Sequence, residues 1–253
     1  MGIFFQSKHK ILPLLNGMID IHNHVLPGID DGASTLSDSI HMLKEYDRLG
    51  ITGVVASPHV MESTYPNTPT TIQDALGTLK AALVKEQLNV TLQGAAAEYM
   101  LDTTFKQLLC EDTILPITTK HLLVEMSYLQ PPLNIEEHIF TIKHKGYTPI
   151  LAHPERYTFL QKDTDYQQFI DLGCMFQLNL LSLTSHYGTH VQKKAFTLLK
   201  NGQYQFVGTD AHHTNHLQKI GQIKVTKKQY TQLAQLIANT TSLFDSSLKD
   251  TRV

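Results

Sequence analysis

The sequence predicts an α/β fold in which a parallel sheet closes, or nearly closes, into a (β/α) barrel. Seven short runs of β-forming residues alternate with amphipathic stretches at helical spacing, the pattern of repeated βα units. No linker or shift in composition divides the chain, and seven units of ordinary length fit one barrel better than two open sheets. A doubly wound sheet has the same connectivity and is the structural alternative.

The strand candidates are separated by helical patterns that end at a glycine. Leu49-Gly50, Lys145-Gly146 and Asn201-Gly202 each close such a pattern shortly before a strand. The strands are predicted at residues 18–22, 52–57, 90–95, 122–126, 149–152, 175–180 and 205–208. We expect residues 1–16 to be an N-terminal extension and residues 17–253 to form a single barrel domain with a C-terminal helical tail.

Composition and charge exclude several classes of protein. The 21 basic and 23 acidic residues give a formal net charge of −2, which predicts no nucleic-acid partner. No apolar run approaches the length of a membrane span, and residues 7–10 interrupt the apolar N-terminal stretch in a way that signal peptides do not. A cytoplasmic protein without membrane insertion is therefore expected, and the sequence indicates no oligomeric state.

Metal-ligating residues follow the predicted strands at the ends where barrel enzymes carry their chemistry. Six of the seven strands finish with an imidazole or a carboxylate. The candidates are His22, His24, His59, Glu98, Glu125, His153, Asp210 and His212, joined by Asp30 or Asp31 in a glycine-flanked loop. His22 and His24 stand two residues apart, so on a strand their side chains would face the same way and bind one ion together. Each residue alone is compatible with a helix cap or a loop hydrogen bond, but their convergence favours a metal centre.

The ligand types indicate which ions and which reaction to expect. Mixed imidazoles and carboxylates, without thiolate, exceed the needs of one ion and suit two or three borderline cations such as Mn, Fe or Zn. Clustered ions of this kind hydrolyse phosphate esters. Arg156, the only one of three arginines at a strand end, is expected to bind phosphate, with a salt bridge to Glu155 or a neighbouring acid as the alternative. The other nine histidines are expected to be structural.

The motif that runs from Asp20 to Gly32, DIHNHVLPGIDDG, closely resembles the opening of the bacterial manganese-dependent protein-tyrosine phosphatases. These enzymes belong to the polymerase and histidinol phosphatase (PHP) superfamily. The later motifs follow in the same order, as Ser57-Pro58-His59, Ala97-Glu98, Val124-Glu125, His153-Pro154-Glu155-Arg156-Tyr157 and Thr209-Asp210-Ala211-His212. Together they extend the resemblance over residues 18–216.

The resemblance implies a distorted (β/α)₇ barrel with three divalent metal ions, for which Mn is expected and Fe or Zn are alternatives. It implies a first ion on His22, His24, Glu98 and Asp210, a second on Glu98, Glu125 and His153, and a third on Asp31, His59 and His212. Asp31 is thereby implied over Asp30. Arg156 would bind the substrate phosphate, and His212 is the candidate to assist the leaving group.

The resemblance also implies a substrate and a partner. The enzyme would remove phosphate from the Tyr-rich tail of a bacterial tyrosine kinase by attack of a metal-bound hydroxide, and so regulate capsule and exopolysaccharide synthesis. Relatives can carry a second arginine after the last histidine motif; here Lys219 or an extra histidine is the candidate replacement. The alternatives are a small-molecule phosphoesterase such as a histidinol-phosphate phosphatase, and an inactive PHP-type binding module. A cysteine-dependent phosphatase is disfavoured, because Pro116 and Leu180 stand where Cys110 and Cys174 would need an arginine.

Overall fold

The computed structural model describes residues 7–245 and confirms the predicted α/β class. The helices are α1 (Leu12–Leu15), α2 (Leu36–Arg48), α3 (Pro69–Leu83), α4 (Phe105–Cys110), α5 (Ile135–His144), α6 (Asp163–Asp171), α7 (Thr189–Lys200), α8 (Thr214–Ile220) and α9 (Lys227–Ser242). The strands are β1 (Lys8–Lys10), β2 (Ile19–Asp20), β3 (Gly53–Ala56), β4 (His59–Val60), β5 (Thr91–Ala95), β6 (Glu98–Met100), β7 (His121–Glu125), β8 (Thr148–Ala152), β9 (Met175–Asn179), β10 (Phe206–Gly208) and β11 (Lys224–Thr226). All seven predicted strands are present.

The parallel strands form a distorted ring with seven strand positions, which we call staves. In two staves the strand is interrupted by a pair of residues, so that β3 continues into β4 and β5 continues into β6. The resulting order is β2, β3/β4, β5/β6, β7, β8, β9 and β10, and every pairing along it is parallel. A parallel bridge between Asn23 and Ala211 joins the last stave to the first. The breaks, which the sequence did not predict, split the ring into a three-stranded and a six-stranded sheet.

The barrel core separates into an inner and an outer layer, because successive side chains on a strand point to opposite faces. Val55, Leu123 and Ile150 belong to a small inner cluster that also contains Phe206. Their neighbours along the strands, such as Val54, belong instead to the large cluster that includes the helices. Both faces of most staves are thus buried, as expected of a parallel sheet covered by helices. Strand β5 is the exception, because Thr91 and Gln93 on one of its faces are exposed.

The N-terminal segment packs against the C-terminal elements. Strand β1 pairs in antiparallel fashion with β11, and Ile11 and Leu15 are fully buried. Helix α1, which contains Leu15, contacts α9. The first six residues of the predicted extension, and residues 246–253 of the predicted tail, lie outside the described residues. Among the helices of residues 7–245, none combines the length and apolar character needed to cross a bilayer.

Candidate metal centre and active site

The nine residues implied as metal ligands lie together at the C-terminal ends of the staves. Their ligand atoms form four overlapping groups, each with all atoms within 4.8 Å of one another. The groups are His24, Asp31, His59 and His212; His22, Glu98 and His153; His22, His24 and Asp210; and His59, Glu98 and Glu125. Four residues each occur in two groups, so the groups merge into one continuous cluster.

The cluster is closed at its base and open on one side. Seven of the nine residues are buried, whereas the side chain of Asp31 is 51% exposed and that of His212 is 15% exposed. These two residues therefore form the rim through which a substrate reaches the cluster.

The backbone bends sharply where it presents the ligands. His153 and Asp210 are two of the three non-glycine residues in 7–245 with positive φ, at +36° and +49°. Such left-handed conformations cost free energy and persist where the surrounding structure enforces them, often at functional sites. Gly32 permits a further close approach, because a Cβ there would lie only 2.1 Å from the carbonyl oxygen of His24. The loop that carries Asp31 can therefore pass directly behind His24.

Hydrogen bonds fix the tautomers of the imidazoles. Gln177 donates through Nε2 to the carbonyl of Leu178, so its Oε1, 2.7 Å from His22 Nδ1, must accept from that nitrogen. His212 Nδ1 likewise donates to the carbonyl oxygen of Asp210 at 2.9 Å. In both rings Nε2 therefore faces the cluster and offers its lone pair whenever the ring is neutral, which is how metal-bound histidines are held.

Asp30 and Asp31 occupy different places. Asp30 accepts from Nδ1 of His24 at 2.8 Å and from the backbone N–H of His59 and of Gly32, at 3.2 Å and 3.0 Å. Its oxygens are thus used in orienting the ligands. Asp31 Oδ1 instead lies 3.4 Å from Nε2 of both His59 and His212. The geometry supports Asp31 as the ligand and gives Asp30 an orienting role.

The buried polar atoms of the cluster fit divalent cations. Five of its atoms that lie beside other members have no hydrogen-bond partner, namely His22 Nε2, His24 Nε2, His59 Nδ1, Glu98 Oε2 and Glu125 Oε1. His153 Nδ1 also lacks a partner, but the nitrogen of that ring that faces Glu98 is Nε2. Buried polar atoms are rarely left unpaired in proteins, so their concentration here points to bound ions. His59 Nδ1 and Glu125 Oε1 are only 2.8 Å apart without the alignment of a hydrogen bond.

The electrostatics lead to the same conclusion. Burial by itself lowers the pKa of His22, but the carboxylates of Glu98 and Asp210 outweigh it and raise the pKa to about 10. For His59, burial is outweighed by Glu98 and Glu125, which raise the pKa to about 12. The buried carboxylates thus require positive charge beside them, and the unpaired donor atoms could accept that charge as metal ions.

Arg156 contacts the cluster through Asp210. Its Nη1 donates to Asp210 Oδ2 at 2.6 Å, so the acid it contacts is not Glu155. The guanidinium carbon lies 4.5 Å from the ring centre of Tyr128 and 4.2 Å from that of Tyr187. This sandwich fixes the plane of the guanidinium and leaves it the donors that Asp210 does not use.

Asp210 connects the two sides of the pocket. Its Oδ1 lies 3.4 Å from His22 Nε2 and 3.3 Å from His24 Nε2. Its Oδ2 accepts from Arg156 and, at 2.7 Å, from Nδ2 of Asn179. One carboxylate therefore sets the position of the arginine relative to the proposed metal ligands.

A pocket of about 360 Å³ opens over the cluster. It is lined by Asp31, His59, Met61, Tyr65, Met100, Glu125, Met126, Ser127, Tyr128, Arg156, Asp210 and His212. The ring of Tyr65 stacks on that of His59 at 5.6 Å and 12°, so Tyr65 shapes the pocket. Lys219 does not line it; its Nζ lies 3.3 Å from His186 Nδ1 beside a neighbouring groove.

Four residues of the site were missed from the sequence. Gln177 and Asn179 stand on β9, the strand that we expected to contribute nothing, and Tyr128 and Tyr187 follow β7 and β9 in loops. Gln177 and Asn179 carried a detectable signal, since they are the two polar residues of a largely buried strand whose other residues are apolar. The two tyrosines carried none, because aromatic residues in loops are common and only the fold brings these two to Arg156.

Comparisons with known proteins agree with this site. The model of the capsular polysaccharide synthesis family CpsB/CapC matches residues 18–241. The chain is 31% identical over 199 residues to tyrosine-protein phosphatase YwqE of Bacillus subtilis, which is 78% of each chain. It is 28% identical over 204 residues to tyrosine-protein phosphatase CpsB of Streptococcus agalactiae, which is 78% of this chain and 83% of that one.

The fold comparison leads to the same group of proteins. The chain superposes on a crystal structure from work on YwqE of Bacillus subtilis and CpsB of Streptococcus pneumoniae, with a TM-score of 0.73 and 28% identity. The match covers 88% of this chain and 95% of the other. Those proteins are described as metal-dependent tyrosine phosphatases.

Proposed function

The chain belongs to the capsular polysaccharide synthesis family CpsB/CapC, and from that premise we propose that it is a metal-dependent phosphatase acting on phosphotyrosine in a protein. One observation carries the proposal: a cluster of nine imidazoles and carboxylates shares a pocket with an immobilised arginine, and Asp210 touches both. The cluster suits metal ions and the arginine suits a phosphate, so the pocket can hold both around one phosphorus atom.

We propose that these residues hold three divalent ions, with Mn expected. We assign His22, His24, Glu98 and Asp210 to the first, Glu98, Glu125 and His153 to the second, and Asp31, His59 and His212 to the third. The four groups described above divide the same nine residues differently, since Glu98 is grouped with His153 and His22 in one and with Glu125 and His59 in another. When bound, such ions polarise the phosphoryl group and lower the pKa of water enough to provide a nucleophile near neutral pH.

The residues of the chain supply orientation and charge complementarity. Arg156 would bind the non-bridging phosphate oxygens through the donors that Asp210 leaves free. Tyr128 and Tyr187 would keep those donors aimed into the pocket. We assign His212 to the ligand set rather than to proton transfer, because its Nδ1 is held by the carbonyl of Asp210 and its Nε2 faces Asp31.

The leaving group agrees with that assignment. The phenol of tyrosine has a pKa near 10, so its phenolate departs far more readily than the alkoxide of an aliphatic ester. A strong general acid is therefore unnecessary for phosphotyrosine. The same site would hydrolyse an alkyl phosphate such as histidinol phosphate less readily.

We infer that the natural substrate is the phosphorylated Tyr-rich tail of a bacterial tyrosine kinase in capsule and exopolysaccharide synthesis. The capsule family and the named tyrosine phosphatases support this inference. The open rim at Asp31 and His212 supports it too, because an exposed rim admits a side chain presented by a polypeptide.

Phosphate release from a Tyr-phosphorylated peptide and from histidinol phosphate, each with added Mn, tests the proposal. We expect turnover of the peptide, its loss on chelation and its recovery when Mn is restored. His22→Ala and Arg156→Ala are expected to lose turnover as well, and only His22→Ala to lose bound metal. His41→Ala is the matched control, because His41 is an exposed histidine on α2 outside the pocket.

The outcomes separate the competing functions. Turnover of histidinol phosphate without peptide turnover would keep the chemistry and replace the substrate class. Absence of both from folded, metal-loaded protein would favour an inactive binding module over an enzyme.

A further inference from the structure

The near-neutral net charge conceals two regions of opposite sign. Residues 20–171 contain twenty carboxylates and ten basic residues, whereas residues 172–244 contain seven lysines and a single carboxylate, that of Asp210. Asp210 is buried in the site. Strand β1 adds Lys8 and Lys10 to the second region, because Lys10 pairs with Lys224 of β11. We call this second region, residues 8–15 and 172–244, the cationic side.

The two regions differ in how many of their basic residues form ion pairs: five of the ten in residues 20–171 do so. In residues 20–171, Lys44 pairs with Glu86 at 2.8 Å and Lys145 with Asp112 at 2.8 Å, and Lys106 pairs with Glu137. Among the ion pairs of the described residues, none involves a lysine of the cationic side. These lysines thus carry charge that no carboxylate within residues 7–245 neutralises.

A groove of about 730 Å³ lies on the cationic side, between residues 183–186, helix α8 and the start of β11. Lys219 and Lys224 line it, together with His186, and none of its eleven lining residues is acidic. Burial, followed by the positive charges of Lys219 and Arg156, lowers the pKa of His186. With two lysines and no acidic side chain among its lining residues, the groove presents net positive charge.

The groove also offers polar groups for a polypeptide backbone. Gln218 and Gln222 line it and are exposed, and neither side chain has a hydrogen-bond partner within residues 7–245. Amide side chains can donate to and accept from an extended backbone. The concave shape suits such a segment better than it suits the flat surface of a bilayer.

The groove begins beside the phosphate-binding arginine. The ring of His186 packs edge-on against that of Tyr187 at 4.6 Å, and Tyr187 covers the guanidinium of Arg156. On the same side, the ring of His186 lies 4.9 Å from that of His216, which in turn lies 5.9 Å from that of His212. A polypeptide whose phosphotyrosine enters the pocket would therefore lay its adjacent residues along the groove.

We propose that this groove binds an acidic segment of the substrate polypeptide, with Lys219 and Lys224 facing its Asp or Glu side chains. The proposal rests on the proposed function, since it places the phosphotyrosine of the same polypeptide in the catalytic pocket. An extended chain advances about 3.3 Å per residue, so the acidic residues should lie on the order of two to six positions from the phosphotyrosine. The groove would then select among phosphotyrosines by their flanking sequence.

Two phosphopeptides of equal length test it, one with Asp and Glu around the phosphotyrosine and one with Ser and Gln there. The Mn-loaded wild type should have a kcat/KM about 2- to 20-fold higher for the acidic peptide, through a lower KM, because two solvent-exposed ion pairs together typically contribute about 0.4–1.8 kcal/mol. In the double variant Lys219→Glu/Lys224→Glu, the kcat/KM for the acidic peptide divided by that for the Ser/Gln peptide should fall to about 1 or below.

The matched control is Lys193→Glu/Lys200→Glu, which makes the same change of charge at exposed positions of α7 that do not line the groove. It should retain most of the preference. If the control lost the preference for the acidic peptide equally, the preference would come from the overall electrostatic potential of the cationic side and not from the groove. That result would overturn the proposal. A wild type that does not distinguish the two peptides would overturn it as well.

Two more measurements distinguish peptide binding in the groove from membrane binding and from failure of the proposed function. If anionic phosphatidylserine vesicles bind the wild type and not Lys219→Glu/Lys224→Glu, while the peptide ratio is unchanged, the surface binds membrane and the proposal is wrong. If no phosphopeptide is turned over, the proposed function fails instead. Fluorescence anisotropy of the labelled acidic peptide then shows whether the groove binds it. Binding must be lost in Lys219→Glu/Lys224→Glu and kept in Lys193→Glu/Lys200→Glu.

Discussion

The two walls of the catalytic pocket differ in composition and in physical role. One wall consists of the nine clustered imidazoles and carboxylates, seven of them buried, where charge density is high and polar atoms lack partners. The other consists of Arg156 between Tyr128 and Tyr187, where one charge is held by two aromatic faces and one carboxylate. The first wall depends on the identity of each donor atom, whereas the second depends on the position of a single group.

This difference predicts that damage to the first wall removes the metal and the reaction together, whereas damage to the second removes substrate binding and alignment while metal stays bound. Asp210 is shared by both walls, so variants at Asp210 cannot separate them. Residues that belong to one wall, or to its support alone, are therefore the informative ones to change.

Of the substitutions considered, Glu98→Gln should lower the phosphatase activity most. Oε1 of Glu98 lies 3.2 Å from His153 Nε2, and its Oε2 lies 3.1 Å from both His22 Nε2 and His59 Nδ1. An amide has nearly the same shape but loses the charge and one acceptor, so it cannot bridge two ions. We expect kcat/KM to fall by about 10³-fold, because changes even to the partners of metal ligands cost about 10–100-fold. Metal content by elemental analysis should fall in parallel; full metal occupancy with activity lost would refute a bridging role.

Arg156→Lys should lower the phosphatase activity less than Glu98→Gln does, and it should leave the metal bound. Lysine keeps the positive charge but lacks the planar fork that can contact Asp210 and a phosphate simultaneously. Losing a charge-assisted hydrogen bond of about 1.5–3 kcal/mol predicts a drop in kcat/KM of about 10- to 100-fold. Steady-state kinetics with a phosphotyrosine peptide, together with metal analysis, checks this. Loss of metal from this variant would mean that the two walls are not separable.

The same difference explains what the sequence could predict. A strand end places its residue at a known edge of the barrel, so eight of the nine residues of the first wall were identifiable from their positions at or after the strand ends. The choice of Asp31 over Asp30 came instead from the family resemblance. His22 and His24 converge as predicted, although β2 ends at Asp20 and both lie beyond it, held by the bridge from Asn23. The predicted strand thus extended two residues too far.

The second wall was only half predictable. Arg156 stood at a strand end, but its aromatic partners come from loops whose course depends on tertiary packing. The breaks that create β4 and β6 were missed for a related reason. Each follows a two-residue interruption, and strands of two or three residues carry too little periodicity to detect.

Tyr187 tests whether Arg156 is positioned by an aromatic face. Tyr187→Leu removes the ring 4.2 Å from the guanidinium carbon, whereas Tyr187→Phe keeps it and loses only the hydroxyl that accepts from Asn179. A cation–π contact of about 0.5–2 kcal/mol predicts a loss in kcat/KM of about 3- to 30-fold for Tyr187→Leu. Tyr187→Phe should recover most of the activity, and both should keep their metal. Equal losses in the two variants would assign the effect to the hydroxyl.

Asp20→Asn should affect stability while changing activity least, because Asp20 supports the first wall without belonging to it. Its buried carboxylate accepts from Tyr46 Oη at 2.7 Å, from Thr209 Oγ1 at 2.6 Å and from the backbone N–H of Thr209 at 3.0 Å. The two bonds from Thr209 join β2 to the segment after β10, at the seam where the ring closes, and the bond from Tyr46 joins β2 to α2. An amide presents an NH₂ to donors and leaves a buried group unpaired, so we expect about 1–3 kcal/mol less free energy of unfolding.

Urea unfolding of the metal-free and metal-loaded forms measures that loss, and it should be present in both. Turnover by the folded fraction of Asp20→Asn should stay within about threefold of the wild type, because a change of less than about 0.7 kcal/mol in the barrier is expected when no ligand is altered. Circular dichroism identifies the folded fraction. A loss of turnover as large as that of Glu98→Gln would mean that the seam sets ligand geometry directly, and Asp20 would then belong to the first wall rather than support it.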